Sequence, residues 1–283
     1  EKTLSNLLGA SGVSARTIRS VHLNNYFTVV ELDDGSVGAC MSCYSLNSKE
    51  LANRQSFFRS MIDGDPLLLR HVAPGTERDD MAASVRAAVV NALSAPVLRS
   101  GRDASFVLRR DFPHHLFSGV RYAVVIGFGG FLPYIVRHTT IPVVHVSDLS
   151  YHERRTAMDG RIERYRKEGQ GIDLSISDGS DIEKHLKKAD FVSITGSTLV
   201  NGTLDRLLHL AQGCPKIILQ GQSASIHPGV CFASGVHMVA TTIKTREVAQ
   251  AAFWDPTGAA LNPLLEGHLP YVYLWPRASR TSV

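Results

Sequence analysis

The second half of the chain alternates short apolar runs with polar stretches that have a helical or turn-rich pattern. Five runs are rich in small and branched apolar residues: RYAVVIGF (121–128), PVVHVSD (142–148), DFVSITG (190–196), KIILQGQ (216–222) and HMVATTI (237–243). Runs of this length, separated in this way, are typical of buried parallel strands. They predict an α/β fold with a Rossmann-like, doubly wound parallel sheet, in which ligands bind beyond the carboxyl ends of the strands.

The first half begins with a different pattern. In YFTVVELDDGSVGACMSCYSL (26–46) two β-rich runs flank Asp33–Ser36, whose composition favours a tight turn. This arrangement predicts an antiparallel hairpin.

Helical patterns follow the hairpin at 49–64 and 77–96. The second carries apolar residues at helical spacing and is predicted to stop near Pro96. These apolar residues are Met81, Val85, Val89 and Ala92. Strands followed by helices indicate an α+β domain, which we assign to residues 1–112, and the Rossmann-like domain with a C-terminal tail then covers 113–283.

Composition limits the classes of function. The chain has 283 residues, 44% of them hydrophobic, and 30 basic against 26 acidic residues give a net charge of +4. Without a basic stripe this charge does not indicate nucleic-acid binding. We find no uninterrupted apolar run of spanning length and no leader pattern, so we expect no membrane segment and a cytoplasmic protein. The sequence leaves open whether the protein forms a homodimer.

The first apolar run leads into a glycine-rich turn, with Gly127, Gly129 and Gly130 in GFGGFLP. A dinucleotide-binding turn would have a third glycine where Leu132 stands, so the motif departs from that signature. Asp148 follows the second run, about 20 residues after the first glycine, where an acidic group holds ribose hydroxyls in nucleotide-binding folds. An ordinary strand-to-helix turn and a helix-capping Asp148 are the structural alternatives.

Small hydroxyl and amide residues crowd the ends of two further runs. These candidate ligand-binding residues are Thr195, Gly196, Ser197, Asn201, Thr203, Gly221 and Ser223. Helix capping alone explains Asn201 or Thr203 but not the whole group. His227, just before a proline, is a candidate metal ligand or acid-base group, and a surface hydrogen-bonding histidine is its alternative.

The cysteines favour a reduced, structural role. Four cysteines in a chain of this length do not form a disulfide framework. Cys40 and Cys43 have the two-residue gap of a zinc knuckle, but no second pair lies at the required distance. We therefore interpret them as core residues.

Several of these segments resemble one known family. The motifs GFGGFLP, ADFVSITGSTLVNGTLDRLL and GQSASIHPGVCFASGV, with the hairpin FTVVELDDGSVGAC, are similar to those of the family of unknown function labelled "putative heavy-metal chelation". The resemblance implies an enolase-N-terminal-like domain joined to a Rossmann-like domain, with a site in the cleft between them. The last motif departs from the family where Ala224 and Ser225 replace a proline that usually follows the serine.

Two classes of function follow. The first is a small-ligand or metal-binding protein that uses the cleft, with a divalent metal ion as its cofactor or cargo and heavy-metal chelation as the activity implied by the resemblance. The second is an enzyme of small-molecule metabolism, in which Gly127 and Asp148 hold a nucleotide or S-adenosylmethionine. The sequence leaves open whether a reaction is catalysed.

Overall fold

The computed structural model describes residues 16–43, 80–169, 171–254 and 269–277, with isolated positions between 47 and 56. Most of the helical pattern predicted for 49–64 lies outside the described residues. So does the middle of the C-terminal tail, 255–268.

A small antiparallel sheet is formed by β1 (Ile18–Leu23), β2 (Phe27–Leu32) and β3 (Val37–Met41), in that order. The predicted hairpin is β2–β3, and Gly35 closes its turn with a φ of +76°, a conformation that glycine adopts readily. β1 was not predicted. It pairs with the other side of β2, which leaves β2 central and buried along its whole length.

Helix α1 (Asp80–Ser100) packs on this sheet. A Cβ on Gly38 in β3 would lie 2.0 Å from the carbonyl oxygen of Ala88, so only glycine permits this approach. The predicted stop near Pro96 is wrong. The helix continues to Ser100, because an internal proline removes only one helical hydrogen bond. It ends before Gly101, which adopts a φ of +61° and donates its N–H to Val97.

By length and mean hydropathy alone, α1 is also long and apolar enough to cross a membrane. However, 61% of its most apolar window is buried inside the protein. Its apolar residues Met81, Val85, Val89 and Ala92 contact the small sheet, as their spacing predicts. This burial is typical of a core helix.

The second sheet has eight strands. They are β4 (Phe106–Arg109), β5 (Tyr122–Ile126), β6 (Val143–Ser147), β7 (Asp173–Ser177), β8 (Phe191–Thr195), β9 (Ile217–Gln220), β10 (Met238–Thr242) and β11 (Tyr271–Pro276). Their spatial order is β4-β11-β10-β9-β8-β5-β6-β7. The five predicted runs are β5, β6, β8, β9 and β10, and all of them pair in parallel.

The prediction of a wholly parallel sheet is wrong at one edge. β11 pairs antiparallel with both β10 and β4, so the sheet is mixed, and β4, which precedes the predicted boundary at 112, belongs to it. The six parallel strands follow the order β7-β6-β5-β8-β9-β10, which reverses between β5 and β8. At such a reversal the loops after the two strands diverge and leave a crevice.

The remaining described helices are α2 (Leu132–His138), α3 (Arg155–Glu168), α4 (Ile182–Leu186), α5 (Ser197–Val200), α6 (Leu204–Leu210), α7 (Pro228–Ala233) and α8 (Arg246–Trp254). Helices α2 and α3 cover one face of the large sheet, and α4, α6 and α7 cover the other. Helix α8 packs instead on the small sheet, through Val248, Ala249 and Ala252. The two sheets are therefore joined by elements from both halves of the chain.

Candidate functional site

The loops after β5 and β8 meet at the strand reversal. A Cβ added to Gly127 would lie 2.6 Å from Cγ2 of Thr195, and the φ of Gly127 is +87°. The N–H of Gly127 donates to the carbonyl of Ser147 at the end of β6. Glycine is required here by both the backbone conformation and the closeness of Thr195.

The loop after β9 joins them. A Cβ on Gly130 would overlap the side-chain amide of Gln220, and a Cβ on Gly196 would lie 2.5 Å from the backbone nitrogen of Ala224. Gly221, with a φ of +106°, begins this loop. We call residues 127–130, 195–197 and 220–223 the crevice loops. Gly129 lies in the first of them, and a Cβ built on it has no described atom within 4 Å.

The small sheet contacts the third crevice loop through Ser223. The hydroxyl of Ser223 accepts a hydrogen bond from the Met41 N–H (2.9 Å), and its carbonyl accepts one from Nδ2 of Asn91 (3.2 Å). Nδ2 of Asn91 also donates to the carbonyl of Ala39 (2.8 Å), and within the described residues its buried Oδ1 has no partner. Ser223 is thus buried at the junction of the two sheets.

Asp148 lies directly after β6 and reaches the Gly127 turn, the position that its spacing predicts. One carboxylate oxygen accepts the N–H of Phe128 (2.8 Å), and the other accepts the N–H and hydroxyl of Ser150 (2.9 and 2.7 Å). The Asp148 carboxylate therefore already accepts the backbone N–H of Phe128, which a ligand anion at this turn would need. The Asp148 carboxylate thus links two turns and accepts three hydrogen bonds.

Hydroxyl groups line the second crevice loop. The side chains of Thr195 and Ser197 lie 3.1 Å apart, and both residues are half-buried. Asn201 lies beyond the short helix α5, where its Oδ1 accepts the N–H and hydroxyl of Thr203 (3.1 and 2.6 Å). Asn201 and Thr203 therefore form a turn that leads into α6, but Thr203 is the N-cap residue and no side chain caps the helix, so the capping role weighed for Asn201 is wrong.

His227 is held by hydrogen bonds away from the glycine turn. Its ring accepts the N–H of Gly229 (3.3 Å) as the cap of α7, and its Nε2 lies 3.2 Å from a carboxylate oxygen of Asp103. Its own N–H donates to the hydroxyl of Ser94 in α1 (3.0 Å). No third histidine, cysteine or acidic side chain joins His227 and Asp103 in the described part of the chain.

The structure brings together a different set of metal-ligating groups. His145 in β6, Asp181 before α4 and His185 in α4 each offer one ligand atom, and these atoms lie within 4.8 Å of one another. Among the described residues no other group of three or more such side chains is this close. We call these three residues the histidine cluster.

Burial controls the protonation of the histidine cluster. Desolvation, assisted by the neighbouring His185, lowers the pKa of His145 to about 4, so its imidazole is neutral at pH 7. The hydrogen bond from the hydroxyl of Ser177 is the main cause of the lowered pKa of Asp181. A neutral imidazole beside an ionised carboxylate is the protonation state in which both groups bind metals.

Sequence analysis did not find this cluster, although two signals were present. His145 interrupts the apolar run PVVHVSD, in a strand predicted to be buried, and Asp181 and His185 are spaced i, i+4. Residues at that spacing lie on one face of a helix. Nothing in the sequence indicated that this face would cover the strand that carries His145.

A buried lysine was also missed. Lys244 follows β10, is 1% exposed and donates from Nζ to the carbonyls of Gln222 and Thr242 and to the hydroxyl of Ser225. These partners are all neutral, and burial lowers the pKa of Lys244 to about 7. The Lys244 side chain thus holds the third crevice loop through the carbonyl of Gln222.

The cysteines have the predicted structural role in the core. All four are free, and Cys40 is fully buried, with Sγ 3.0 Å from the carbonyl of Ser84. Burial raises the pKa of the Cys40 thiol and brings that of Cys231 to about 12. Such thiols are unreactive at neutral pH.

Comparison with solved structures shows the same fold in two proteins of unknown function from the DUF364 family. The protein from Desulfitobacterium hafniense DCB-2 superposes with a TM-score of 0.63 at 15% identity, covering 97% of each chain. That from Pyrococcus horikoshii gives 0.61 at 16% identity, covering 98% of this chain and 97% of its own. An enolase of the mandelate racemase subgroup from Agrobacterium tumefaciens reaches a TM-score of only 0.35.

No curated protein has a matching sequence. Two family models match, both described as "Putative heavy-metal chelation": DUF4213 over residues 6–94 and DUF364 over residues 152–253. Together they span most of the chain, in agreement with the resemblance of its motifs. The chain belongs to this "putative heavy-metal chelation" family.

Proposed function

We propose that the protein binds a small polar ligand at the crevice loops, in the cleft between the Rossmann-like sheet and the smaller domain. The observation that carries this proposal is the convergence of three loops where the strand order reverses. Glycines 127, 130 and 196 permit contacts that leave no room for a Cβ. Crevices at this position are the usual ligand sites of doubly wound sheets.

The chemistry of the crevice loops favours a neutral polar ligand over a bare cation. Their half-buried groups are the hydroxyls of Thr195 and Ser197 and the backbone of Gly127 and Gly129. The nearest carboxylate, Asp148, already accepts three hydrogen bonds. Hydroxyl and amide groups bind polar organic molecules well, whereas divalent ions prefer charged oxygen or imidazole ligands.

A nucleotide or S-adenosylmethionine enzyme is the second candidate, because the strand order is that of dinucleotide-binding folds. The hydrogen bond that Asp148 makes to the glycine turn argues against this second candidate. The Asp148 carboxylate accepts the Phe128 N–H of the glycine turn, and a bound phosphate would have to displace that interaction at the cost of charge repulsion. The small polar ligand therefore remains our preferred proposal.

The experiment uses a variant that blocks the crevice without disturbing the fold. Gly129→Leu places a side chain where no described atom lies within 4 Å, and Gly160→Leu does the same on the exposed face of α3 as a control. Native mass spectrometry of each purified protein identifies any retained small molecule. Calorimetric titration then uses that molecule, together with NAD⁺ and S-adenosylmethionine as probes.

We expect Gly129→Leu to lose the retained molecule and to weaken its binding by roughly tenfold or more, since the side chain competes for the same space. Gly160→Leu should behave as wild type. Asn201→Ala should lower the free energy of unfolding by about 1 kcal/mol with unchanged affinity, because the Asn201 oxygen holds the turn before α6 through Thr203. Full binding to Gly129→Leu would place the ligand elsewhere, and adenine-ligand binding would favour the enzyme class.

A further inference from the structure

The two rings of the histidine cluster direct the same nitrogen atom toward one side. Nε2 of His185 lies 3.0 Å from Oδ2 of Asp181, and Nε2 of His145 lies 3.1 Å from the hydroxyl of Ser177. That hydroxyl donates to Oδ1 of Asp181 (2.8 Å). Both Nε2 atoms therefore converge on the Asp181 carboxylate, one directly and the other through Ser177.

The opposite nitrogens are held by hydroxyl groups. Nδ1 of His145 lies 2.9 Å from the hydroxyl of Ser175, and Nδ1 of His185 lies 2.5 Å from the phenol of Tyr122. In metal sites the second nitrogen of a ligating imidazole usually donates to a carboxylate, carbonyl or water, which sets the ring orientation, and a hydroxyl oxygen can accept in the same way. The cluster thus contains three candidate metal ligands and a hydrogen-bonding partner for the second nitrogen of each imidazole.

Burial and access also suit an ion. His145 is 2% exposed, on a strand that fixes its position, whereas the side chains of His185 and Asp181 are 15% and 45% exposed. The cluster is therefore open to solvent on the side of Asp181. An ion can enter from that side and lose most of its water against His145.

We infer that His145, Asp181 and His185 form a binding site for one divalent ion of the first transition series, from Fe²⁺ to Zn²⁺. Two imidazoles and one carboxylate are the donor set that such ions prefer, whereas Mg²⁺ and Ca²⁺ prefer oxygen donors alone. The set contains no thiolate, the donor that the softest metals select. None of its three ligands lies in the crevice loops, and the site does not depend on the ligand proposed for them.

Ligand spacing requires one local movement. The 3.0 Å between His185 and Asp181 is already close to the distance of about 3.3 Å between ligands of a tetrahedral zinc ion. The rings of His145 and His185 are stacked in parallel, 3.5 Å apart. Asp181 and Ser177 both accept from the rings, so the two Nε2 atoms carry protons in this arrangement. To bind a shared ion each ring must move its proton to Nδ1, where the hydroxyl of Tyr122 or Ser175 can accept it. His185, on a short and partly exposed helix, must also tilt out of the stack, with Ser177 or water as the fourth ligand.

The test uses untagged protein, stripped of metal with a chelator and titrated with Zn²⁺ and Co²⁺. Wild type should bind one equivalent of Zn²⁺, and Co²⁺ should produce the visible bands of a site with nitrogen and oxygen ligands. His185→Gln and Asp181→Asn should each weaken Zn²⁺ binding by roughly 100-fold or more, and Tyr122→Phe by about tenfold. A hundredfold excess of Mg²⁺ should leave the Zn²⁺ titration unchanged.

His152→Gln is the matched control, because His152 forms an exposed pair with Asp178 (2.7 Å) outside the cluster. It should retain Zn²⁺ affinity within about threefold. Asp181→Asn keeps the test decisive if a histidine variant fails to fold, since its exposed side chain can be replaced without opening the core. No saturable Zn²⁺ binding by wild type, full binding by folded Asp181→Asn, or displacement by Mg²⁺ would each overturn the inference.

Discussion

The crevice loops and the histidine cluster are built by opposite means. The crevice is shaped by backbone, with glycines that let three loops touch and with neutral groups at its surface. The cluster is shaped by side chains, with two imidazoles and a carboxylate beneath one short helix. The difference teaches that one sheet can present two kinds of groups, neutral polar groups on its loops and imidazoles beside a carboxylate on its face.

The largest expected effect comes from filling the crevice at its tightest contact. Gly196→Ala brings a Cβ to 2.5 Å from the Ala224 backbone, which cannot move aside like a flexible side chain. We expect a loss of about 3 kcal/mol in the free energy of unfolding, measured by urea denaturation. Gly129→Ala, with no described neighbour at its Cβ, should lose less than about 1 kcal/mol.

The same pair of variants sharpens the comparison between the two sites. Zn²⁺ affinity should be unchanged in folded Gly196→Ala, because the added Cβ meets the backbone of Ser223 and Ala224 and no residue of the histidine cluster. Equal stability of Gly196→Ala and Gly129→Ala would show that the loops after β8 and β9 are not in contact. A parallel loss of Zn²⁺ binding would show that the two sites are coupled.

A smaller effect is expected at Asp148, whose carboxylate binds the glycine turn after β5. Asp148→Ala removes hydrogen bonds from Phe128 and Ser150 and should cost about 1–3 kcal/mol of stability. Its affinity for NAD⁺ should not differ from that of wild type, as measured by calorimetry. NAD⁺ binding that is present in wild type and weakened in Asp148→Ala would instead support the nucleotide-binding role.

The smallest effect concerns Lys244, the buried lysine that contacts the third crevice loop. Because burial lowers the pKa of Lys244 to about 7, well under its unfolded value near 10.4, the unfolded chain binds more protons above pH 7. Stability should therefore rise by about 1 kcal/mol between pH 7 and pH 8 through this residue. Denaturation curves of wild type and Lys244→Met at both pH values isolate the contribution.

Between pH 7 and pH 8 the contribution of Lys244 to stability is distinct from that of the buried thiols. Burial raises the pKa values of Cys40 and Cys231, so these groups lower stability as pH rises above about 8.5, where unfolded thiols ionise. An equal pH dependence in wild type and Lys244→Met would show that Lys244 is charged in the folded state. Its carbonyl and hydroxyl partners would then be holding an ammonium ion.

Local patterns allowed much of the fold to be predicted. The strands β5, β6, β8, β9 and β10 are apolar runs of the expected length, and the contact between Gly127 and Thr195 follows from their parallel order. β7 was missed because DLSIS alternates with serine and aspartate at the sheet edge, and β11 because its pairing with β4 joins distant parts of the chain. Such pairings depend on tertiary contacts that no short window contains.

The chemistry of the sites was less predictable than their positions. Asp148 lies where its spacing placed it, but the bonds that occupy its carboxylate depend on the neighbouring turn. Ser223 was predicted to contact a ligand, and its hydrogen bond with Met41, which joins the two sheets, was not predicted. His145 and His185 meet only because α4 folds back over β6, which is a property of packing rather than of spacing.

The place of β11 also affects how the chain folds as it is synthesised. β4 emerges before every other strand of the large sheet, yet its partner in the described structure is β11, which emerges last. Until then β10 has a free edge, and free edges recruit strands from other molecules. During synthesis β4 and the outer edge of β10 therefore lack their described partner until β11 arrives, and a chaperone that shields them during translation would raise the yield of folded protein.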